Sequence, residues 1–291
     1  MSTTIKSVGG YVKPKFYKNR KFYGKLAIYV LLIFLAFIML YPLGMIVNIS
    51  LKTYGEFLTD AIGLVKSPQF KNYATVWVQM DVIKRFFITI MLTVCALALN
   101  VGVSLMAAFP IARNLFRGAS KMMVFVLMSM FFPGSLVATI TILKDILHIH
   151  GSPFALIIMW GVASLQLHIF MLVNFIKSLP SGLDEAAYID GCGYFRYIFT
   201  IAMPLMLPIV ATISMLKIIG CWNDFMGPYI YCTDPNMKTL STGLFTFMGQ
   251  YAAQWQLYST AVFIVAAPMI IIYIFGQRFI IEGMVSGALK G

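Results

Sequence analysis

The chain has 291 residues, 60% of them hydrophobic and only 11% charged, with a mean hydropathy of +0.86. A soluble domain carries about 25% charged residues, so this one has too few to clothe a polar surface, and a soluble globular protein is excluded. The net charge of +12 invites a nucleic-acid reading, but the placement of the charges argues against it.

Lys6, Lys13, Lys15, Lys18, Arg20, Lys21 and Lys25 all precede the first long apolar run. A basic flank before a hydrophobic span holds that end in the cytoplasm. The expected contact is therefore membrane lipid, and no nucleic acid. That first run, Leu26 to Val47, is about 33 Å long as a helix, enough to cross a bilayer. It is too long for a signal-peptide core and no small-residue cleavage site follows it. Pro42 and Gly44 predict a kink near its outer end. Further apolar runs follow at Phe86–Ile111, Met122–Leu143, Phe154–Ile176, Ile201–Ile219 and Thr260–Phe275. The expectation is an all-α, polytopic membrane protein of six transmembrane helices with both termini in the cytoplasm.

The charges agree with that orientation. Fourteen Lys and Arg fall on the inner side and eight on the outer, with Lys217 and Lys238 counted outside. Two outer segments are long. Asn48–Arg85 reads as a small helical cap, and Cys221–Ser259 contains Leu240–Phe247, short and apolar enough for a half-helix lying in a cavity.

Metal and catalytic patterns are absent. Cys95, Cys192, Cys221 and Cys232 have no metal spacing and no CxxC, and the three histidines join no ligand set. They read as lone thiols and imidazoles; a Cys221–Cys232 pair is the less favoured alternative. No GxxxxGK[ST] is present, so the chain has no P-loop to cradle ATP phosphates. Nor is there an HExxH motif or paired-Asp set for an enzyme within the membrane. The spans hold no Asp or Glu, and His168 is the one ionisable group expected well inside a span. That is thin support for an ion-coupled secondary transporter.

The most informative stretch is the loop between spans four and five, Leu179-Pro-Ser-Gly-Leu-Asp-Glu-Ala-Ala-Tyr-Ile-Asp-Gly191. Ser181 with Asp184 reads as a capping box. Asp184 and Glu185 fall in the first turn, where the helix dipole favours carboxylates. Gly191 supplies a left-handed C-terminal cap. A short helix over about 182–190 follows. Asp190 opposes the dipole in its last turn and calls for compensation, by Arg196 or by a cation on a partner. The aromatics Tyr194, Phe195, Tyr197 and Phe199 fit either an anchor seeking a pocket or an interfacial belt.

Glu185-Ala186-Ala187, Gly191, Ile201 and Pro204 together resemble the EAA loop of binding-protein-dependent ABC importer permeases. The spacing is EAA, three residues, G, nine residues, I, one residue, LP, with Met203 where Leu is usual. That swap conserves volume and apolarity. Ile189-Asp190-Gly191, Pro204 with Pro208, Trp222-Asn223 and the closing Gly283…Gly287-Ala288-Leu289-Lys290-Gly291 are similar to the carbohydrate-uptake branch, whose best-known system imports maltose. So are Asn72-Tyr73 and Ala108–Arg113, with Phe109 where Tyr is common. The likeness spans about residues 26–291.

The resemblance implies a cytoplasmic segment, 1–25, and one permease domain, 26–291, with a coupling loop over about 178–204. A cytoplasmic coupling helix between spans four and five docks on the ATPase. Glu185, Ala186, Ala187, Asp190, Gly191 and Pro204 are assigned to that coupling. The chain is then no enzyme and binds no cofactor, ATP and Mg being held by two separate ATP-binding-cassette ATPase subunits. A homologous second permease and an extracytoplasmic solute-binding protein complete the complex in a bacterial cell membrane. Sugars bind aromatic faces plus fixed polar groups, which points to Trp222, Asn223 and Asp224. Asn100 and Gln166, uncharged polar residues within spans, either line the pathway or bond between helices. A permease of the same family for a non-sugar solute is the remaining alternative.

Overall fold

Every regular element among the described residues is helical. The computed structural model describes residues 15–132, 134–250 and 254–288. Lys6, Lys13 and the closing Leu289-Lys290-Gly291 lie outside them. The first helix, α1 (Lys15–Ser50), carries Pro42 without interruption. Its apolar stretch, Tyr23–Ser50, has a hydropathy of 2.7 and none of the most apolar window is buried. Such a surface is stable only against lipid or another apolar chain.

Two short helices follow, α2 (Tyr54–Thr59) and α3 (Lys71–Gln79). Between them the backbone has little regular structure, so its polar groups need side-chain partners. Asn48 supplies two: its Nδ2 donates to the Gly63 carbonyl (2.8 Å) and its Oδ1 accepts from Val65 N–H (2.9 Å). Asn72 Nδ2 donates to the Ser50 and Lys52 carbonyls at 2.8 and 3.0 Å. The small helical cap expected over Asn48–Arg85 is built this way.

The centre of the bundle is α4 (Val82–Ala112). Leu92, Ala96, Asn100, Ser104 and Ala108, each one turn beyond the last, are all fully buried. A stripe of mostly small side chains lets neighbouring backbones approach closely, and close packing drives helix association in lipid. α4 packs against α5 (Ala119–Ser129), α7 (Pro153–Val162), α8 (Leu165–Ser178) and α12 (Leu207–Asn223).

The expected third span, Met122–Leu143, is not one helix. α5 has 11 residues, about 16 Å of rise and too short to cross. A second piece, α6 (Leu136–Thr141), starts only after a break, with Ser135 Oγ accepting from Ala138 N–H, and continues as a π turn over Ile142–Ile146. The fourth span is bent by 42° between α7 and α8, where Ser164 takes a left-handed φ of 65°. The fifth is bent more sharply. Tyr194–Leu205, which includes α10 (Tyr194–Arg196), a π turn and α11 (Met203–Leu205), meets α12 at 87°. Before it lies α9 (Gly182–Ile189). Then come α13 (Met226–Tyr231), α14 (Leu244–Gln250) and α15 (Trp255–Ala288), which contacts both α1 and α12.

By length and apolarity three of the described helices can each cross a membrane alone, and up to five spans result if each bent pair is one span. The protein is therefore a multi-pass helical membrane protein. Its largest buried apolar cluster joins α4, α8, α9 and α12, from Val101 through Leu172 and Ala187 to Ile213. A second joins α3, α4, α14 and α15 around Val76, Phe247 and Ala261.

Candidate functional site

The segment with the strongest sequence signature forms the helix expected of it, α9, ending at Asp190. Gly191 follows with φ +71°. Cys192 N–H donates back to the Ala187 carbonyl at 2.9 Å and Gly191 N–H to Tyr188 at 3.0 Å, the paired bonds of a left-handed glycine stop.

The start of α9 differs from the expected capping box. Ser181 makes no side-chain cap bond. Asp184 faces the bundle instead, its Oδ2 2.6 Å from Nε of Arg113, and it accepts a short hydrogen bond from the Tyr197 hydroxyl. Arg113 stands at the end of α4, and its two terminal nitrogens both donate to the Leu179 carbonyl at 3.2 Å. A charge-assisted pair with a third partner outcompetes a solvent-exposed serine cap. One guanidinium thus ties the last turn of the fourth span, the first turn of α9 and the end of α4 into one body. Phe109 packs against Tyr197 and Tyr194 with centroids at 5.1 and 5.8 Å, and the Tyr194 hydroxyl donates to the Met106 carbonyl.

α9 is two-faced. Ala187 is buried on the bundle side. Glu185, Ala186 and Asp190 are exposed, and Tyr188 and Ile189 are 84% and 83% exposed. No ion pair joins Asp190 to Arg196 among the described residues, so the compensation expected within the chain is not made; Asp190 faces solvent. A cavity of about 760 Å³ lies between α9, the end of α4 and the Tyr194–Tyr197 turn. Pro204 sits in α11, in the arm that meets α12 at 87°.

A second polar centre lies where the fourth span bends. The break frees the Gly161 and Ala163 carbonyls, and a bare carbonyl in hydrocarbon costs several kcal/mol. Asn100 Nδ2 donates to both, at 2.7 and 3.3 Å. Its Oδ1 is hydrogen-bonded to His168 Nδ1. Lys217 Nζ donates to Ala163 at 2.8 Å and is 5% exposed. Lys217 is thus inside the bundle rather than on the outer loop, and His168 is not the only ionisable group within the spans. Gln166, two residues past Ser164, is half-buried.

The third group is at the far end of α12. Trp222 is 5% exposed; it packs edge-on to Phe86 at 6.0 Å and its Nε1 donates to the Val265 carbonyl. Its ring is occupied by packing within this chain. Asn223 is exposed. Asp224 accepts from Trp160 Nε1 (2.7 Å) and from Gly227 N–H (2.9 Å). Trp222, Asn223 and Asp224 are contiguous, and Asp224 neighbours the Asn100 centre: its partner Trp160 adjoins the Gly161 that Asn100 caps, and its charge acts on Lys217. The coupling residues lie on other elements. Sequence reading missed Arg113 as the holder of Asp184 and Lys217 as a buried donor. The basic residue at the end of an apolar run was the only available signal for the first.

A multi-pass helical bundle with a short two-faced helix fixed to it defines a helical membrane protein with an external docking element. The chain belongs to the family of binding-protein-dependent transport system inner membrane components, which matches residues 100–284; the family is one of transporters, not of catalysts. The chain is 29% identical over 259 residues to a probable starch-degradation-products transport system permease of Thermoanaerobacterium thermosulfurigenes, covering 89% of this chain and 94% of that one. It is 28% identical to a melibiose/raffinose/stachyose import permease of Bacillus subtilis, covering 86% and 91%. It is 31% identical to a trehalose/maltose transport system permease of Thermococcus litoralis, covering 66% and 70%. Its fold matches a chain in the crystal structure of a bacterial ABC transporter that imports the acidic polysaccharide alginate, with a TM-score of 0.78 at 20% identity, over 93% of this chain and 99% of that one.

Proposed function

We propose that the chain is the transmembrane permease subunit of an ATP-binding-cassette importer and forms half of the translocation pore for a sugar or oligosaccharide. The observation that carries the coupling assignment is the two-faced α9: its inner face is fixed to the bundle through Asp184 and Ala187, while Tyr188 and Ile189 stand out bare. Exposed apolar side chains on a rigid, anchored helix favour a protein pocket as the occupant. Glu185, Ala186, Ala187, Asp190 and Gly191 shape that contact, and Pro204 lies in the arm that joins it to the membrane span.

In this reading residues 26–291 form one permease domain with six spans, the broken 119–146 segment counting as the third, and both termini and α9 lie in the cytoplasm. The unburied length of α1 leaves a face for a homologous second permease. Two ATPase subunits bring ATP and Mg, the chain itself holding neither. An extracytoplasmic binding protein meets the two long outer segments, Asn48–Arg85 with its α2 and α3 and Cys221–Ser259. Asn223, Asp224, Asn100 and Gln166 are assigned to the pathway, with the packed Trp222 holding the end of α12, and so Asn223 and Asp224, in place. The sugar assignment draws on relatives described as permeases for starch products, raffinose-type oligosaccharides and maltose.

The test is uptake and ATP hydrolysis by the reconstituted complex carrying Glu185→Lys or Gly191→Asp. Loss of hydrolysis stimulated by the loaded binding protein, with all subunits still in the membrane, is the expected result. Sugar transport at the wild-type rate by both variants would remove α9 from the coupling role.

A further inference from the structure

A partly exposed aromatic stack lies beyond α12, in a place the sequence motifs do not mark. Phe245, at the start of α14, is stacked on Phe225 with centroids 4.4 Å apart and planes 25° from parallel. It also meets Tyr229 of α13 at 4.5 Å and 32°. Phe225 and Tyr229 are one helical turn apart, so both present to the same neighbour. Phe245 takes one face of Tyr229, yet Tyr229 remains 52% exposed, and Met226 and Met248 beside it are 55% and 52% exposed.

The stack is held from two sides. Ser241 Oγ donates to the Asp224 carbonyl at 3.0 Å, which fixes the segment leading to Phe245 against the corner leading to Phe225. Asp224 is itself fixed, one oxygen on Trp160 Nε1 and the other on Gly227 N–H. Each carboxylate oxygen keeps a second lone pair. The segment therefore offers an exposed aromatic ring, Tyr229, and five residues before it an acceptor held by two hydrogen bonds, with the exposed Asn223 amide adjacent to that acceptor in sequence.

We infer that Phe225, Phe245 and Tyr229 form a saccharide-stacking subsite, with the sugar ring on the open face of Tyr229 and a hydroxyl donating to Asp224. The electron-rich ring face attracts the polarised C–H edge of a pyranose, and a fixed acceptor beside an apolar platform is how a pocket orients a polyhydroxylated ligand. An interfacial belt asks only for rings at headgroup level; here Phe245 packs on two rings of the other segment, stacked on Phe225 and tilted by 32° to Tyr229, and Ser241 joins the two segments. The inference rests on the importer reading and gives its sugar a first contact in this chain.

The experiment uses the complete transporter in liposomes, with its partner permease, ATPase pair and binding protein. Import of maltotriose, raffinose and trigalacturonate is measured together with ATP hydrolysis, for wild type, Tyr229→Ala and Tyr229→Phe. The expected result is a drop of about three- to tenfold in sugar imported per ATP hydrolysed for Tyr229→Ala, restored by Tyr229→Phe, which keeps the ring. An unchanged ratio in Tyr229→Ala overturns the subsite and leaves the importer reading standing. Import and hydrolysis falling together also overturns it, because the face then serves a protein contact or the fold. A wild-type complex that hydrolyses ATP but imports none of the three removes the sugar reading and the subsite with it.

Discussion

The Arg113 guanidinium at the end of α4 holds the Asp184 carboxylate of α9 at 2.6 Å, and through Leu179 it holds the end of the fourth span as well. A push on α9 is therefore delivered to two spans at once. Arg113→Ala leaves a part-buried carboxylate without its cation, a loss of about 1–3 kcal/mol at that joint. The expected outcome is import reduced at least tenfold while the complex still assembles and hydrolyses ATP. Asp184→Asn removes the ion pair with Arg113 and should act in the same direction but less strongly, because the amide oxygen can still accept from the Tyr197 hydroxyl. Paired measurement of uptake and phosphate release in proteoliposomes checks both.

The bare face of α9 should respond differently. Ile189 is 83% exposed, so Ile189→Asp disturbs nothing inside this chain and surface changes of that kind stay within about 0.5 kcal/mol of fold stability. If α9 enters an apolar socket, the buried carboxylate costs about 2–5 kcal/mol there. The ATPase subunits should then dissociate during purification while the permease keeps its melting temperature. Co-purification in detergent, with a melting curve on the same sample, reads the two effects apart.

Lys217 and Asn100 make a third case. Both spend donors on carbonyls that the bend in the fourth span leaves free. Lys217→Met keeps the aliphatic stem and removes the donor, so the Ala163 carbonyl retains only the longer 3.3 Å bond from Asn100. The permease should lose about 1–3 kcal/mol, and Asn100→Leu, which strips bonds from both carbonyls and from His168, should lose more. Because the two share an acceptor, their effects should not add. Thermal unfolding of the single and double variants in one detergent measures the coupling.

The parts of this arrangement that were legible in the sequence are those fixed locally. The apolar runs located α1, α4 and α15, and Glu185-Ala186-Ala187 with Gly191 located α9 and its stop to within a residue. What depended on distant partners was not legible. Asp184 followed Ser181 at capping-box spacing, yet its carboxylate went to an arginine more than sixty residues away in the chain. A lysine near the end of an apolar run reads as an outer anchor, and only the bend opposite it supplies the carbonyl that draws Lys217 inward. The interruption of the third span left no imprint on average hydropathy, since Phe131 and Phe132 keep that stretch apolar; its local signal was the Pro133-Gly134 dipeptide, a helix breaker that hydropathy does not weigh. Trp222 was read for its aromatic face, and that face is packed within the bundle.

Sidedness can be read from the chain's own thiols, all four of which are free. Cys192 directly follows the glycine that ends α9 and is partly exposed, whereas Cys221 and Cys232 are buried. Burial also pushes the Cys232 thiol above its ordinary value, leaving less thiolate, which is the reactive form. Cys95 is exposed but lies in the middle of α4, a helix long and apolar enough to cross the membrane, and at that depth a charged reagent does not enter. A membrane-impermeant maleimide applied to inside-out vesicles should therefore label a single site, Cys192, and labelling should vanish in Cys192→Ser. The same reagent applied to right-side-out vesicles should label none. Labelling of Cys192 from the outside would place α9 on the wrong side of the membrane for an ATPase, and the coupling assignment would fall with it. Bound ATPase subunits should protect Cys192 in the inside-out preparation, since the contact they make on α9 lies within one turn of it.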